Sequence, residues 1–186
     1  AKAFKESTTG IAASEGVTTL ATAPDAGANC GTPAVFSVSV DNFMKNPELE
    51  AEMFGPATLI VEGSIEEIEQ AIVHLEGQLV GTIHASESEL CNYTSLVRAL
   101  ESRCGRLVLN AYPTGVDVCH AIVHGGPYPA TSDGRSSSVG TLAIDRFCRS
   151  VAWQGFPEAE LPVELQNENP LKIWRMVDGE RSRDTI

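Results

Sequence analysis

Few residues of this 186-residue chain have the type and spacing to do chemistry. The five cysteines, Cys30, Cys91, Cys104, Cys119 and Cys148, are irregularly spaced and include no Cys-x-x-Cys. An odd, irregular set of this kind argues against a disulfide framework and fits reduced thiols. Cys119-His120 with His124 could begin a metal site, but a structural zinc needs about four ligands and no further one falls at a suitable spacing. No metal is expected. His74 falls in a predicted helix and His84 in a predicted strand, and both read as structural. Ser136-Ser137-Ser138 lacks the Gly-x-Ser-x-Gly turn that exposes a serine nucleophile. What remains is Glu52-Met53-Phe54-Gly55-Pro56. It sets a carboxylate, with two acceptor oxygens, two residues before an aromatic ring and a Gly-Pro bend. Alone, it reads better as a surface Glu, a core Phe and a turn.

The elements around that segment must position it. Residues 1–22 read as the end of one helix followed by a second short one, and 24–33 as a loop. Val35, Phe36, Val38 and Val40 predict a strand over 34–40. Asn46-Pro47 starts a short helix, with Asn46 as cap and Pro47 in its first position. The apolar run 57–62 predicts a strand buried on both faces of a parallel sheet. Ser64 and Glu67 form a capping box for a helix over 64–75, whose stripe is Ile65, Ile68, Ile72 and Leu75. A strand over 81–85, a helix over 86–104 capped by Ser86 and Glu89, and a strand over 106–109 ending at Asn110 complete the pattern. Alternation of this kind predicts an α/β fold: a parallel sheet with crossover helices. Residues 111–140, rich in Gly, Pro, Ser and Tyr, should form a long irregular loop. A helix over 141–148, a strand over 151–154 and a polar tail over 157–186 follow.

Glu-x-Phe-Gly-Pro, in this setting, resembles the aldehyde dehydrogenase signature that follows the nucleophile region. An Asn-Pro-x-Leu approach precedes it, and an apolar strand with a capped helix follows. Gly81-Thr82-Ile83-His84-Ala85-Ser86 resembles the family's small-residue strand, and residues 105–110 its Gly-x-x-x-x-Asn strand end. His124-Gly125-Gly126-Pro127-Tyr128-Pro129-Ala130-Thr131, Ser138-Val139-Gly140-Thr141 and residues 169–175 resemble one branch of the family, the α-ketoglutaric semialdehyde (2,5-dioxovalerate) dehydrogenases. The resemblance covers roughly residues 27–186.

The resemblance implies the C-terminal portion of such an enzyme. Glu52 would accept hydrogen bonds from the nicotinamide ribose hydroxyls and Phe54 would lie against the nicotinamide, so NADP or NAD is the implied cofactor. Asn110 at a strand's carboxyl end would lie near the aldehyde, with Gly125 and Gly126 lining the substrate mouth. The family reaction needs a Cys thiolate to attack the aldehyde, hydride transfer to the nicotinamide, and a Glu base for the water that hydrolyses the thioester. In the family both lie ahead of the motif, the Cys by well more than the 51 residues that precede Glu52 here. Cys30, in Ala28-Asn29-Cys30-Gly31-Thr32, does not resemble the nucleophile segment, and no Gly-x-Gly-x-x-Gly occurs. No catalytic residue is therefore expected in the chain, and the start at Ala1 rather than Met is read as an unnatural one. The implied organisation is a partial catalytic domain over 1–148, then an oligomerisation strand and tail over 149–186. The implied partners are an aldehyde, the N-terminal part of the same enzyme and a second copy. The alternatives are a long-chain aldehyde dehydrogenase segment and a non-catalytic oligomerisation or binding module.

Charge and composition narrow the field. A net charge of -12, from 25 acidic and 13 basic residues, repels phosphate backbones and anionic lipid, so nucleic acid and membrane partners are not expected. No apolar run approaches the roughly 20 residues of a membrane span, and residues 1–9 lack the apolar centre of a signal peptide. A cytoplasmic protein is the expectation.

Overall fold

Local sequence signals set most elements of the computed structural model, which describes residues 2–186 apart from Ala26, Ala28, Thr114 and Val118. The chain divides into two compact units, Ala1–Arg146 and Phe147–Ile186.

In the first unit, helix α1 (Lys2–Ala13) buries Phe4 and Ile11. Where a second helix is predicted, the chain instead forms strand β1 (Thr18–Thr22), antiparallel to β2 (Ala34–Ser39). The threonines explain the difference, since branching at Cβ favours a pleated strand over a short helix. Strand β2 buries Ala34, Phe36 and Val38 on one face. The predicted continuation to Val40 gives way to a short helix, α2 (Val40–Lys45), because the Ser39 hydroxyl accepts a hydrogen bond from the Asn42 amide. The helix expected at Asn46 is a single 3-10 turn, Pro47–Glu50, and Asn46 caps it as predicted. Ile11, Phe36, Val38, Phe43 and Leu49 meet in the main core.

Strand β3 (Ala57–Glu62) runs parallel to β2 in the register Ala34↔Ala57 to Ser39↔Glu62. Its exposure alternates, so Thr58, Ile60 and Glu62 face solvent and the prediction of a strand buried on both faces does not hold. Helix α3 (Ile65–His74) carries the predicted capping box. The Ser64 hydroxyl accepts from the Glu67 amide at 3.3 Å, and the Glu67 carboxylate accepts from the Ser64 amide at 2.7 Å. Strand β4 (Gln78–Ile83) begins three residues before the predicted start. The single helix predicted over 86–104 is two, α4 (Glu87–Leu90) and α5 (Thr94–Glu101). The break has a cause in Asn92, whose side-chain amide donates to the Ser88 carbonyl and competes with helix propagation. Cys104, placed by prediction at that helix's end, opens strand β5 (Cys104–Leu109), which pairs parallel with β4.

Both parallel pairs therefore form, but in separate sheets, β1-β2-β3 and β4-β5, rather than as one continuous sheet. Beyond β5 the predicted irregular stretch holds through residue 140 among the described residues. Thr141–Phe147 is a 3-10 helix rather than an α-helix.

The second unit buries no apolar side chain among its described residues, and Asn169 is its only buried residue. The Asn169 carboxamide donates to the carbonyls of Ile173 and Arg183 and accepts from the Ile173 amide. The Arg175 guanidinium collects the carbonyls of Gln166, Asn167 and Asp184. These bonds hold a hairpin, β6 (Arg175–Val177) with β7 (Glu180–Ser182), in what the sequence suggested was a polar tail. Asp178 and Gly179 both take positive φ, 50° and 88°, the requirement of a two-residue type I′ turn. Val151–Gln154, predicted as the oligomerisation strand, is irregular in this chain. It pairs with no other described segment, and a strand exists only as half of a ladder.

Candidate functional site

The bend at Gly55-Pro56 is fixed from beneath. The Phe4 ring, 6% exposed, lies so close that a Cβ on Gly55 would approach it to 2.4 Å. The Pro56 carbonyl accepts from the Ala34 amide at 3.1 Å, which ties the bend to the start of β2. With the bend anchored, the side chains before it stay free of the core. Phe54 is 81% exposed, so the reading of this segment as a surface Glu with a core Phe fails at the Phe. Glu52 is also exposed, and it lines a groove of about 440 Å³ with residues 77–80, at the start of β4, and with Pro129 and Ala130. Phe54 is not among the residues lining that groove.

The loop bearing Gly125 and Gly126 approaches the same place from the other side. A Cβ on Gly126 would lie 2.5 Å from the Gln78 carbonyl oxygen, and one on Gly105 only 2.1 Å from the Gly125 carbonyl oxygen. Backbone therefore lies directly on backbone, at a distance that only residues without a side chain allow. The Gly77 amide donates to the Tyr128 carbonyl at 3.2 Å, and the Thr131 hydroxyl donates to the Gly126 carbonyl at 3.0 Å. Ser137, 1% exposed, closes the loop: its hydroxyl accepts from the His124 amide and donates to the Val139 carbonyl.

Asn110 is elsewhere. It ends β5, whereas the two glycines contact Gly105 near that strand's start, so about 16 Å of strand separates them at about 3.3 Å per residue. Its carboxamide is occupied: Nδ2 donates to the Ala85 carbonyl at 2.8 Å, and Oδ1 accepts from the Ala85 amide at 3.0 Å. Its own amide donates to the Ile83 carbonyl at 2.8 Å, and its φ is +52°. These contacts brace the turn leaving β4. The structure thus brings Glu52 beside the loop of Gly125 and Gly126 and leaves Asn110 at the opposite end of the strands.

Sequence reasoning missed Gly77 and Gln78 as groove walls. Gly77 was legible only as a helix stop, and its second use, the bond to Tyr128, depends on a loop fifty residues away in sequence. Among the cysteines, Cys30, Cys91, Cys119 and Cys148 are exposed and Cys104 is buried. The Cys104 thiol donates to the Leu100 carbonyl, and burial pushes its pKa up, which disfavours the thiolate. Among the described residues no three of His, Cys, Asp and Glu gather where they could hold a metal ion. Nor is any helix long and apolar enough to cross a membrane.

No protein-family model matches the chain. It is 45% identical over 147 residues to alpha-ketoglutaric semialdehyde dehydrogenase 2 of Azospirillum brasilense, covering 78% of this chain and 28% of that protein. It is 45% identical over 135 residues to the alpha-ketoglutaric semialdehyde dehydrogenase of Acinetobacter baylyi, covering 72% and 26%. The chain thus spans between a quarter and a third of the length of these relatives. Among solved structures, the Delta-pyrroline-5-carboxylate dehydrogenase of Mycobacterium tuberculosis superposes with a TM-score of 0.60 at 18% identity, over 85% of this chain and 31% of that one. An aldehyde dehydrogenase from Bacillus cereus superposes with a TM-score of 0.57 at 20% identity, over 78% and 28%.

Proposed function

We propose that this chain, which belongs to the aldehyde dehydrogenase superfamily, supplies the nicotinamide-ribose contact of an NAD(P)-dependent enzyme that oxidises a semialdehyde to its acid. The observation that carries the reading is the exposed carboxylate of Glu52, held beside a groove by a bend that Phe4 locks, with Phe54 left free of the core. A vicinal diol offers two hydroxyl donors about as far apart as the two oxygens of one carboxylate, so Glu52 suits the ribose. Phe54 offers an open aromatic face to the ring. The nicotinamide, when bound, accepts the hydride; the residues of this chain orient it and contribute no nucleophile. The substrate class rests on the 45% identity to two alpha-ketoglutaric semialdehyde dehydrogenases, and the cofactor is NADP or NAD.

Residues 1–148 would form part of the catalytic domain, and 149–186 would pair with a second copy in an oligomer in the cytoplasm. The second unit supports that role. It exposes Phe147, Val151, Phe156, Trp174 and Met176 and buries no apolar side chain of its own among the described residues. For Asn110 we propose bracing of the turn after β4 in place of direct contact with the aldehyde, because both ends of its carboxamide are bound to Ala85.

The test uses a full-length version of the enzyme. Glu52→Gln should raise KM for NADP or lower kcat by about tenfold or more, equivalent to about 1.4 kcal/mol, without lowering the unfolding temperature, since the side chain is exposed. Unchanged kinetics in the variant, or no aldehyde-dependent reduction of either nicotinamide nucleotide by the parent enzyme, would refute the reading.

A further inference from the structure

Next to the groove of Glu52, and sharing only Leu79 and Ala130 with it, lies a second cavity of about 230 Å³. Its walls come from the stretch 124–138 and from Arg146 on the 3-10 helix Thr141–Phe147. Most of its hydroxyls are spent on the wall itself. Ser137 bonds His124 and Val139, Ser138 donates to the His124 carbonyl, and Thr131 donates to the Gly126 carbonyl. Asp133 and Ser136 are spent as well: the Asp133 carboxylate accepts from the Nε and the amide of Arg135, both at 3.0 Å, and from the Ser136 hydroxyl, so its charge is answered.

Three donors are left. The Arg146 guanidinium, the His124 imidazole and the Ser132 hydroxyl have no hydrogen-bond or ion-pair partner among the described residues, and all three line the cavity. In a chain of net charge -12 this pocket thus carries an uncompensated positive charge.

We propose that this cavity binds a small oxyanion, a carboxylate or a phosphate group, with Arg146 as its principal ligand and His124 and Ser132 as further donors. Guanidinium presents two parallel N–H donors that match the spacing of carboxylate and phosphate oxygens. The volume sets the size of the guest. At about 30 Å³ per water the cavity holds roughly eight waters, which suits an anion of a few heavy atoms. It is below the roughly 300 Å³ at which pockets begin to hold drug-sized ligands, so a dinucleotide does not fit. The loop wall is preformed, with Ser137 only 1% exposed, so the ordering cost of binding falls on the exposed side chains of Arg146 and Ser132. The assignment does not rest on the role given to Glu52, which lines only the neighbouring groove.

The experiment is an NMR titration of the full chain with inorganic phosphate and, separately, with glutarate, at constant ionic strength kept by chloride. We expect saturable shifts of the Arg146 Nε–H and His124 ring signals with a Kd of about 1 mM or below for at least one probe. The probe that saturates identifies the guest as phosphate or carboxylate. Arg146→Gln should weaken binding tenfold or more, an effect of about 1.4 kcal/mol, and Ser132→Ala by a smaller factor. Arg181→Gln removes the same charge from exposed β7 and should leave the Kd within about twofold, because exposed charges act weakly at a distance in salt. Shifts that stay linear with both probes, or equal weakening by the Arg146 and Arg181 variants, would overturn the proposal.

Discussion

Replacing Asn110 separates a structural brace from a substrate contact. The carboxamide makes two bonds to the Ala85 backbone, 2.8 Å and 3.0 Å, in a setting open to water. Net worth at such a site lies in the lower half of the usual range, so the pair contributes about 1–2 kcal/mol. The backbone adds a second component. At φ +52° an alanine pays about 1 kcal/mol that asparagine largely avoids. Asn110→Ala should therefore cost about 2–3 kcal/mol, which at a urea m-value of about 2 kcal/mol/M lowers the unfolding midpoint by about 1 M or slightly more. Asn110→Asp is more informative. It keeps the acceptor for the Ala85 amide but sets a carboxylate oxygen against the Ala85 carbonyl, where a donor is needed. Its deficit relative to the parent should be largest at pH 7 and should shrink as the pH falls through the carboxyl's titration, because the protonated acid again donates. Urea unfolding followed by circular dichroism, run on all three proteins at pH 7 and near pH 4, reads both effects. If Asn110→Ala stays within about 0.5 kcal/mol of the parent, the bracing argument is wrong and the side chain returns to the substrate pocket.

Two further outcomes test the packing on which the groove depends. Gly105→Ala should destabilise the first unit by about 2 kcal/mol or more, because its Cβ would lie 2.1 Å from the Gly125 carbonyl oxygen and neither backbone can yield cheaply; a urea midpoint equal to the parent's would show that the 124–131 loop is not seated there. Under native conditions at pH 8, iodoacetamide should modify the exposed Cys30, Cys91, Cys119 and Cys148 first and Cys104 last, since Cys104 is 8% exposed and burial raises its thiol pKa; peptide mass spectrometry that found Cys104 among the early sites would contradict its place at the start of β5.

How much of this could be read in advance depended on whether a feature is local. The capping boxes at Ser64 and Ser86, the Asn46 cap and the β2–β3 and β4–β5 strands are each decided within a few residues, and they stand as predicted apart from their ends and the burial expected of β3. The type I′ turn at Asp178-Gly179 was equally legible from its dipeptide but lay in a stretch set aside as tail. The split of one helix at Asn92 follows from a single side chain competing for a carbonyl, a contest that apolar periodicity does not register. Separation into two sheets is a tertiary outcome, and strand order along the sequence carries no information about it.

The candidate site divides along the same line. The Glu-x-Phe-Gly-Pro segment is local, and the exposure of Glu52 and Phe54 follows once the bend is anchored on Phe4. Grouping Asn110 with Gly125 and Gly126 assumed that the loop after β5 remains at the end where it starts. Thirteen residues, 111–123, separate Asn110 from His124, and at about 3.3 Å each a chain of that length can span more than twice the length of β5. The loop was long enough to return to the strand's start, and Gly105 is what admits it there. A Gly-x-x-x-x-Asn strand carries its glycine and its asparagine at opposite ends by construction. The glycine marks where another backbone can approach, and the asparagine, in the left-handed region, marks where the strand must turn. Once β5 is recognised as a strand, those two demands assign the loop to one end and the brace to the other. Spacing therefore already argued against a single pocket built from all three residues.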